Sequence, residues 1–425
     1  MKLLKTFFFL FIYFSAEAQN QVVLLDTLNS NAFKSDLLDY YKNKFNDFNE
    51  NLLDSSQKLK LSKSIYLEHQ KEFLEKIYSN NFISDKELNN YVQNLVKDIL
   101  EKNKLNKDNY KVLISKDSEI NAYNTGDGTI VINYGLFTVI ENENELVFVL
   151  CHEIGHQELQ HVKKEVITFI NNYTSEEVID KTKEIKKLKF RKASAANTLL
   201  LKLNYKNYFL RRKKEIEADS MGVDFYKKTN RSLNSVLSLL EKLNNSNKEQ
   251  DSISVFDYKE VFETDFYKLK KRYFEEATSI FNSYDYKPIY EIDSLKTHPD
   301  CITRMNKIEK IISNKNTLND SSDIFLQIKK NAIQQNLYNL FLDKAYGLSL
   351  YETLKLFLKN KNNSFYKQLI CLNLIEIQKS KINLTLSKYI PQQDRLYNTK
   401  SLNRFINLIN ELKVNELEII IEKFR

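Results

Sequence analysis

The sequence has little of the residues that break helices or cross-link chains. Its 425 residues include only 6 glycines and 3 prolines, which excludes collagen-like and Pro/Gly-rich low-complexity proteins. The three cysteines, Cys151, Cys301 and Cys371, are an odd number without zinc-finger or redox spacing, so no disulfide framework is expected and the pairing of their thiols stays open. The charge excess is also small, since 64 Lys+Arg against 56 Asp+Glu give +8. The composition therefore predicts a globular, helix-rich protein that does not bind nucleic acid.

The N-terminus has the three parts of a secretory signal peptide. Lys2 and Lys5 precede an apolar run over 7–14, and the small-residue stretch SAEA ends at residue 18. This pattern predicts a signal peptide over 1–18 and an exported mature chain that is periplasmic, outer-membrane-associated or secreted. A membrane anchor is the alternative, although the run is well short of the roughly 20 residues that a spanning helix needs. No later segment is long and apolar enough to span a bilayer, so no transmembrane helix is expected in the mature chain.

The chain reads as mostly helical with one small sheet. Helical spacing of apolar residues runs from Leu88 to Ile99, and Ser84 with Glu87 predicts a capping box at the start of that helix. Two β-type stretches follow, and a Gly126-Asp127-Gly128 turn lies between them. These stretches are 110–115 and 129–134, and further helices are predicted over 142–166 and 195–228. We therefore expect an α+β fold that is mostly helical.

One short motif carries metal chemistry. The sequence His152-Glu153-Ile154-Gly155-His156 places two histidines four residues apart, so on a helix both imidazoles face one cation. Zinc prefers nitrogen and oxygen ligands, and a catalytic site leaves one position for water. Glu153 would then act as the general base that takes a proton from this water. The alternative is a chance match, but the residues around the motif are apolar on nearly every side, and buried histidines need a partner.

A third metal ligand must come from another part of the chain. Glu215 is the expected ligand, because Ala218 beside it allows close packing against the first helix and Asp219 lies on the same face to orient a ligand histidine. The alternative is a solvated acidic face that pairs with the neighbouring arginines. His161 lies five residues beyond His156, which on a continuous helix is well off the zinc face. His161 is therefore expected at the surface.

A basic segment separates the two halves of this proposed site. From Lys181 to Lys214 there are thirteen Lys or Arg and a single acid, Glu184, interleaved with leucines and aromatic residues. A solvated helical face explains this pattern. The alternative is peripheral contact of the segment 181–214 with an anionic membrane surface.

Three motifs follow one another along the chain: the stretch around CHEIGH, then RRKKEIEADSMG, then THPDCITRM, which together cover about 88–311. In this order they resemble the gluzincin metalloendopeptidases of the CAAX prenyl protease, HtpX, Oma and BepA-like family. The resemblance implies one zinc ion held by His152, His156 and Glu215, with Glu153 as base. It implies that His298 lies near the zinc, either stabilising the oxyanion or latching the resting site. In that family an arginine follows this histidine by six residues, and here it corresponds to Arg304.

The resemblance also implies how substrate binds and how the chain is divided. It makes Asn121 to Tyr134 an edge strand that holds a peptide by strand addition, with Asn121-Ala122 near the cleft. The expected division is the following: signal peptide 1–18, N-terminal helical region 19–83, zinc metallopeptidase domain 84–312, linker 313–323 and C-terminal helical domain 324–425. The expected function is hydrolysis of peptide bonds in unfolded or misassembled envelope proteins. The alternative is a catalytically quiet, metal-containing assembly module of the cell envelope.

Overall fold

A computed structural model describes most of the chain as helices packed around one small sheet. It describes residues 24–25, 30–50, 57–246, 251–274, 301–310, 321–394 and 398–425. The predicted signal peptide 1–18, the segment that contains His298, and most of the predicted linker 313–323 lie outside the described residues. The mostly helical α+β fold is confirmed.

The sheet has three strands in the order β1-β3-β2. The strands are β1 (Lys111–Ser115), β2 (Ala122–Asn124) and β3 (Thr129–Asn133). β1 pairs with β3 in parallel, and β2 pairs with β3 antiparallel. The Gly-Asp-Gly turn therefore joins β2 to β3, where Gly126 and Gly128 adopt φ of 87° and 86°, a backbone region that favours glycine.

Both faces of β1 and of the central strand β3 are covered by helices, and this explains the uninterrupted apolar sequences of the two strands. Leu113 and Val131 pack with the helices of the N-terminal region, whereas Ile114, Ile130 and Ile132 belong to the main core on the other face. Side chains of a strand alternate between the two faces, so these two sets separate as the period of two requires. The sheet is a middle layer between two layers of helices.

The helices before and after the sheet form the layers that hold the site. Those from the N-terminus to residue 246 are α1 (Asn31–Glu50), α2 (Gln57–Tyr78), α3 (Lys86–Lys102), α4 (Leu136–Val139), α5 (Glu143–Glu158), α6 (His161–Tyr173), α7 (Glu176–Lys187), α8 (Lys192–Lys227) and α9 (Asn234–Ser246). Two predictions about their ends are wrong. Asp85, not Ser84, caps α3, because its carboxylate accepts from the backbone N–H of Leu88 at 2.8 Å. The helix predicted over 142–166 is two helices, interrupted at Gln160 with φ 53°.

The remaining helices are α10 (Val255–Phe262), α11 (Cys301–Glu309), α12 (Asp323–Leu342), α13 (Tyr346–Lys359), α14 (Ser364–Ile382), α15 (Lys400–Glu411) and α16 (Val414–Phe424). All of them except α11 contribute to a second hydrophobic core, whereas α11 packs into the main core through Ile308. Segment 253–273 packs with helices α13–α16 in this core, whereas Phe325, Ile328 and Ala332 at the start of α12 pack into the main core. α12 thus contacts both cores, and the domain boundaries stay a prediction.

Two further observations concern the whole described chain. Within the described part of the chain, Cys151, Cys301 and Cys371 form no disulfide bond. Among the described residues, no helix combines the length and the apolarity needed to cross a membrane.

Candidate metal centre

Three side chains from two helices converge on one point. His152 and His156 of α5 lie one turn apart, and their Nε2 atoms are 3.0 Å from each other. The carboxylate of Glu215 on α8 lies 3.5 Å from Nε2 of His152 and 3.4 Å from Nε2 of His156. Among the described residues these three form a group of ligand atoms that could hold a metal ion. The structure thus brings together the three residues that the sequence analysis predicted as ligands.

The alternative of a solvated acidic face does not describe Glu215. Its side chain is only 13% exposed, and Arg211, one of the arginines expected to pair with it, binds Glu165 on α6 instead. Glu215 therefore faces the interior between α5 and α8.

Small residues let these two helices approach closely enough to share the site. A Cβ atom on Gly155 of α5 would lie 3.1 Å from the backbone oxygen of Ala218 on α8. A Cβ atom on Gly222 would lie 3.0 Å from Cα of His152. Contacts this short are tighter than ordinary Cβ contacts, so a side chain at either position would push the two backbones apart by a few tenths of an ångström. The small residues of both helices therefore set the distance between α5 and α8, and with it the position of Glu215 relative to the histidines, as the sequence analysis expected for Ala218.

The distances suit a tetrahedral zinc ion. Bonds of about 2.0–2.1 Å to nitrogen and oxygen at tetrahedral angles place ligand atoms roughly 3.3 Å apart, which the observed 3.0, 3.4 and 3.5 Å approach. Burial lowers the pKa of His156, and the neighbouring His152 lowers it further, to about 3. Burial also lowers the pKa of His152, but the carboxylates of Asp219 and Glu215 outweigh it and raise this pKa to about 10. The cluster thus favours one buried positive charge, as a bound cation would supply.

A second carboxylate, that of Asp219, lies close to the other ring nitrogen of one of the two histidines. Oδ1 of Asp219 lies 3.0 Å from Nδ1 of His152. Arg304 of α11 binds Asp219 through two hydrogen bonds, from Nε at 2.7 Å and from Nη2 at 2.6 Å. Both side chains are buried. Since a ligand histidine usually gives its second nitrogen to such a partner, Asp219 is placed to orient the His152 ring.

The sequence profile of Peptidase family M48 matches residues 86–312, which is more than half of the chain. The chain belongs to peptidase family M48. M48 proteins are zinc metallopeptidases, and the resemblance to the HtpX and BepA-like enzymes is confirmed. No curated protein matches the chain.

Within this M48 domain the structure describes one of the two residues predicted to be catalytic. Glu153 follows His152 on α5 and is buried, with 6% of its surface exposed. His298 lies outside the described residues, and its predicted role near the zinc stays a prediction.

The prediction that His161 lies at the surface is wrong. His161 is 2% exposed, and its Nδ1 lies 3.1 Å from Nδ1 of His156. The left-handed backbone at Gln160 ends α5 and starts α6 in a new direction, so His161 returns toward the metal centre instead of continuing around α5. The sequence at 157–161 contains no glycine or proline that would predict this break in the helix. Only the presence of a third histidine nearby could have suggested the contact between His161 and His156.

The edge of the sheet beside α5 is shorter than the resemblance implied. β2 alone forms this edge, and β3, which was included in the expected edge strand, is the central strand. The backbone N–H of Asn133 donates to the carbonyl of Asn121 at 3.0 Å, so this carbonyl faces the sheet. In an antiparallel pair, the backbone N–H and C=O groups of successive residues point alternately toward and away from the partner strand. The backbone groups of Ala122 and Asn124 therefore point away from β3. Ala122 and Asn124, and not Asn121, thus have backbone groups that no other described strand binds.

A buried polar network at the start of α5 was missed from the sequence. Glu143 accepts from Tyr91 at 2.7 Å, from Ser322 at 2.6 Å and from Arg231 at 2.9 Å. Burial opposes the charge on Glu143, but these donors outweigh it and lower the pKa of its carboxyl. The donors come from α3, from the segment after α8 and from the N-cap of α12. The network thus ties the C-terminal region to the helix that carries the histidines.

Proposed function

We propose that this chain is an exported, zinc-dependent metalloendopeptidase that cleaves unfolded or misassembled envelope proteins. The observation that carries the hydrolytic part is the convergence of His152, His156 and Glu215 at ligand distances inside an M48 domain. One zinc ion per chain is the proposed metal. Bound there, it supplies a Lewis acid that polarises the scissile carbonyl and makes water acidic.

The residues of the chain supply binding and proton transfer. Glu153 accepts a proton from the attacking water and delivers it to the nitrogen of the leaving amine, while its buried position keeps the proton within the site. Asp219 and Arg304 hold the His152 ring in place. His298 stabilises the negative oxygen, a role that rests on its match to the family motif alone.

The proposed substrate class rests on the edge strand. The outward backbone groups of Ala122 and Asn124 suit an extended chain that adds to β2 as a further strand. Main-chain hydrogen bonds demand little of side-chain identity, so any unfolded segment that reaches the edge is acceptable. Export rests on the signal-like pattern over 1–18, which precedes the described residues.

The test is cleavage of an unfolded protein, such as casein, by the purified chain beside Glu153→Gln, with the zinc content of both measured. Activity in the parent that is lost in a zinc-loaded Glu153→Gln supports the proposal. Glu158→Gln is the matched control, because Glu158 lies on the same helix and accepts instead from Tyr110 at 2.5 Å. Zinc-loaded parent protein that cleaves nothing would favour the assembly-module alternative, and equal activity in Glu153→Gln would rule Glu153 out as the base.

A further inference from the structure

Helices α7 and α8 form a hairpin whose turn is exposed on all sides. The hairpin tip, residues 186–192, consists of the last two residues of α7, a four-residue turn and the first residue of α8. Every residue in it is exposed. Phe190 is 83% exposed and Leu188 is 42% exposed. Two large apolar side chains are thus presented together at the end of the hairpin.

The tip also carries a dense and uncompensated positive charge. Five of its seven residues are cations, and they are Lys186, Lys187, Lys189, Arg191 and Lys192. None of these five forms an ion pair with any residue that the structure describes, whereas cations farther along the hairpin do: Lys181 binds Glu177 and Arg211 binds Glu165. The free charge is therefore concentrated at the tip.

We propose that the hairpin tip docks this protein on an anionic lipid surface. Phe190 and Leu188 enter the headgroup region with their apolar side chains, and the five cations on either side of them bind lipid phosphates and carboxylates. Neither element is sufficient alone, because single exposed apolar residues are common on protein surfaces and lysine-rich turns are often solvated. Their combination on one projecting turn is what matches a membrane surface.

The geometry favours lipid over a protein or nucleic-acid partner. A turn of seven exposed residues is small beside the roughly 20–30 residues that each partner contributes to a stable protein interface, whereas a soft bilayer accommodates it. Nucleic acid would be matched by a long basic face, but the cations of the hairpin beyond the tip are partly neutralised by Glu165, Glu177 and Asp180.

The docked tip would hold the metal centre at a set distance from the lipid. α8 runs without interruption from Lys192 at the tip to Glu215 at the site. These 23 intervals at about 1.5 Å per residue span roughly 35 Å along the helix axis. The proposal is independent of the proposed peptidase activity, since docking requires neither zinc nor Glu153.

The experiment is sedimentation of the full chain with vesicles of phosphatidylglycerol and phosphatidylcholine at low salt. The parent is compared with the double variant Leu188→Ser/Phe190→Ser, and Phe266→Ser is the matched control, since Phe266 is 97% exposed but lies far along the chain from the hairpin. All three proteins share the same first 23 residues, so a difference between them reports the tip alone. Far-ultraviolet circular dichroism checks that each variant is folded.

We expect the parent and Phe266→Ser to bind equally and the tip variant to bind at least about tenfold more weakly, because two apolar side chains no longer enter the interface. Binding should also fall when salt is raised to about 0.5 M, where charges are screened over a few ångströms. Equal binding of the tip variant and Phe266→Ser would overturn the proposal. Binding of the parent to vesicles of phosphatidylcholine alone that equals its binding to the anionic vesicles would also overturn it. Absence of any binding would overturn it too, and would favour an acidic protein as the partner of the tip.

Discussion

Arg304 and Asp219 form a buried, two-bond ion pair that joins α11 to the back of the metal centre. Arg304 comes from the third motif of the chain and Asp219 from the second, and Asp219 in turn reaches His152 of the first motif at 3.0 Å. The three motifs, which are distant in sequence, thus form one continuous chain of polar contacts. The ion pair is the connection through which α11 stabilises the orientation of a ligand.

Replacement of Arg304 by methionine is expected to destabilise the protein and to weaken its metal binding. Met keeps much of the apolar volume but leaves the Asp219 carboxylate buried without its partner, which costs about 3–5 kcal/mol. Urea unfolding and chelator competition would measure the two effects. Arg304→Lys should recover only part of the loss, because a single ammonium cannot make both bonds. A methionine variant as stable as the parent would contradict this account.

The stability of the metal-free protein should fall as the pH drops from about 4 toward 2. Burial raises the pKa of Asp219, but Arg304 and His152 outweigh it and hold this pKa near 2. The unfolded chain takes up this proton near 3.8, so the native carboxylate contributes stability above that pH and loses it as the pH falls through 2. The loss is on the order of 2 kcal/mol. Urea unfolding across this range in the presence of a chelator measures it, and the curve of Asp219→Asn should be flatter; parallel curves would refute the assignment.

His161→Leu is expected to weaken zinc binding by roughly 10-fold or more. When Nε2 of His156 binds a cation, its ring proton sits on Nδ1 and needs an acceptor, and Nδ1 of His161 lies 3.1 Å away. This assigns the proton of His161 to Nε2, which lies 3.3 Å from a carboxylate oxygen of Glu217. His161→Asn, which keeps an acceptor near the same place, should lose less.

Competition with a zinc chelator measures the affinities of these two variants. His69→Leu is the control, because His69 is exposed on α2. If His161→Leu bound zinc as tightly as the parent does, His161 would be a buried residue without influence on the metal centre.

Gly222→Ala is expected to reduce metal affinity even though alanine favours a helix. The new methyl group would meet the backbone of His152 at 3.0–3.1 Å. Overpacking of this kind costs roughly 1–3 kcal/mol, which at least offsets the gain of about 1 kcal/mol in helix propensity. The two helices must separate, and Glu215 then moves away from the histidines. Ser220→Ala, at an exposed position of α8, is the control, and zinc titration of both variants gives the comparison. Unchanged affinity in Gly222→Ala would show that α8 can shift without cost.

The ligand residues were predictable from sequence because helical spacing alone places His152 and His156 on one face. Glu215 was predictable because it shares a helix face with Asp219, beside a small residue. His161 was not, because its position depends on the left-handed backbone of Gln160, and a non-glycine residue adopts that conformation only when the surrounding structure holds it there. Local sequence carries no record of such a constraint.

The sequence also did not show which helices pack against one another. Helical periodicity correctly indicated helices beyond residue 323, yet nothing in it shows that the start of α12 contributes Phe325 to the main core. Nor does it show that Tyr258 and Tyr273 belong with the C-terminal helices. Periodicity tells which face of a helix is apolar, but the partner of that face is selected by the fold as a whole.

The brevity of β2 has a consequence for the products of proteolysis. An edge of three residues leaves outward backbone groups on only two of them, Ala122 and Asn124, so a bound polypeptide is aligned by very few hydrogen bonds. Its register is then weakly determined, and neighbouring peptide bonds of one substrate are nearly equivalent. Fragments with ragged ends, whose lengths follow the extent of unfolded chain instead of a consensus sequence, are the mass-spectrometric signature expected of such an edge.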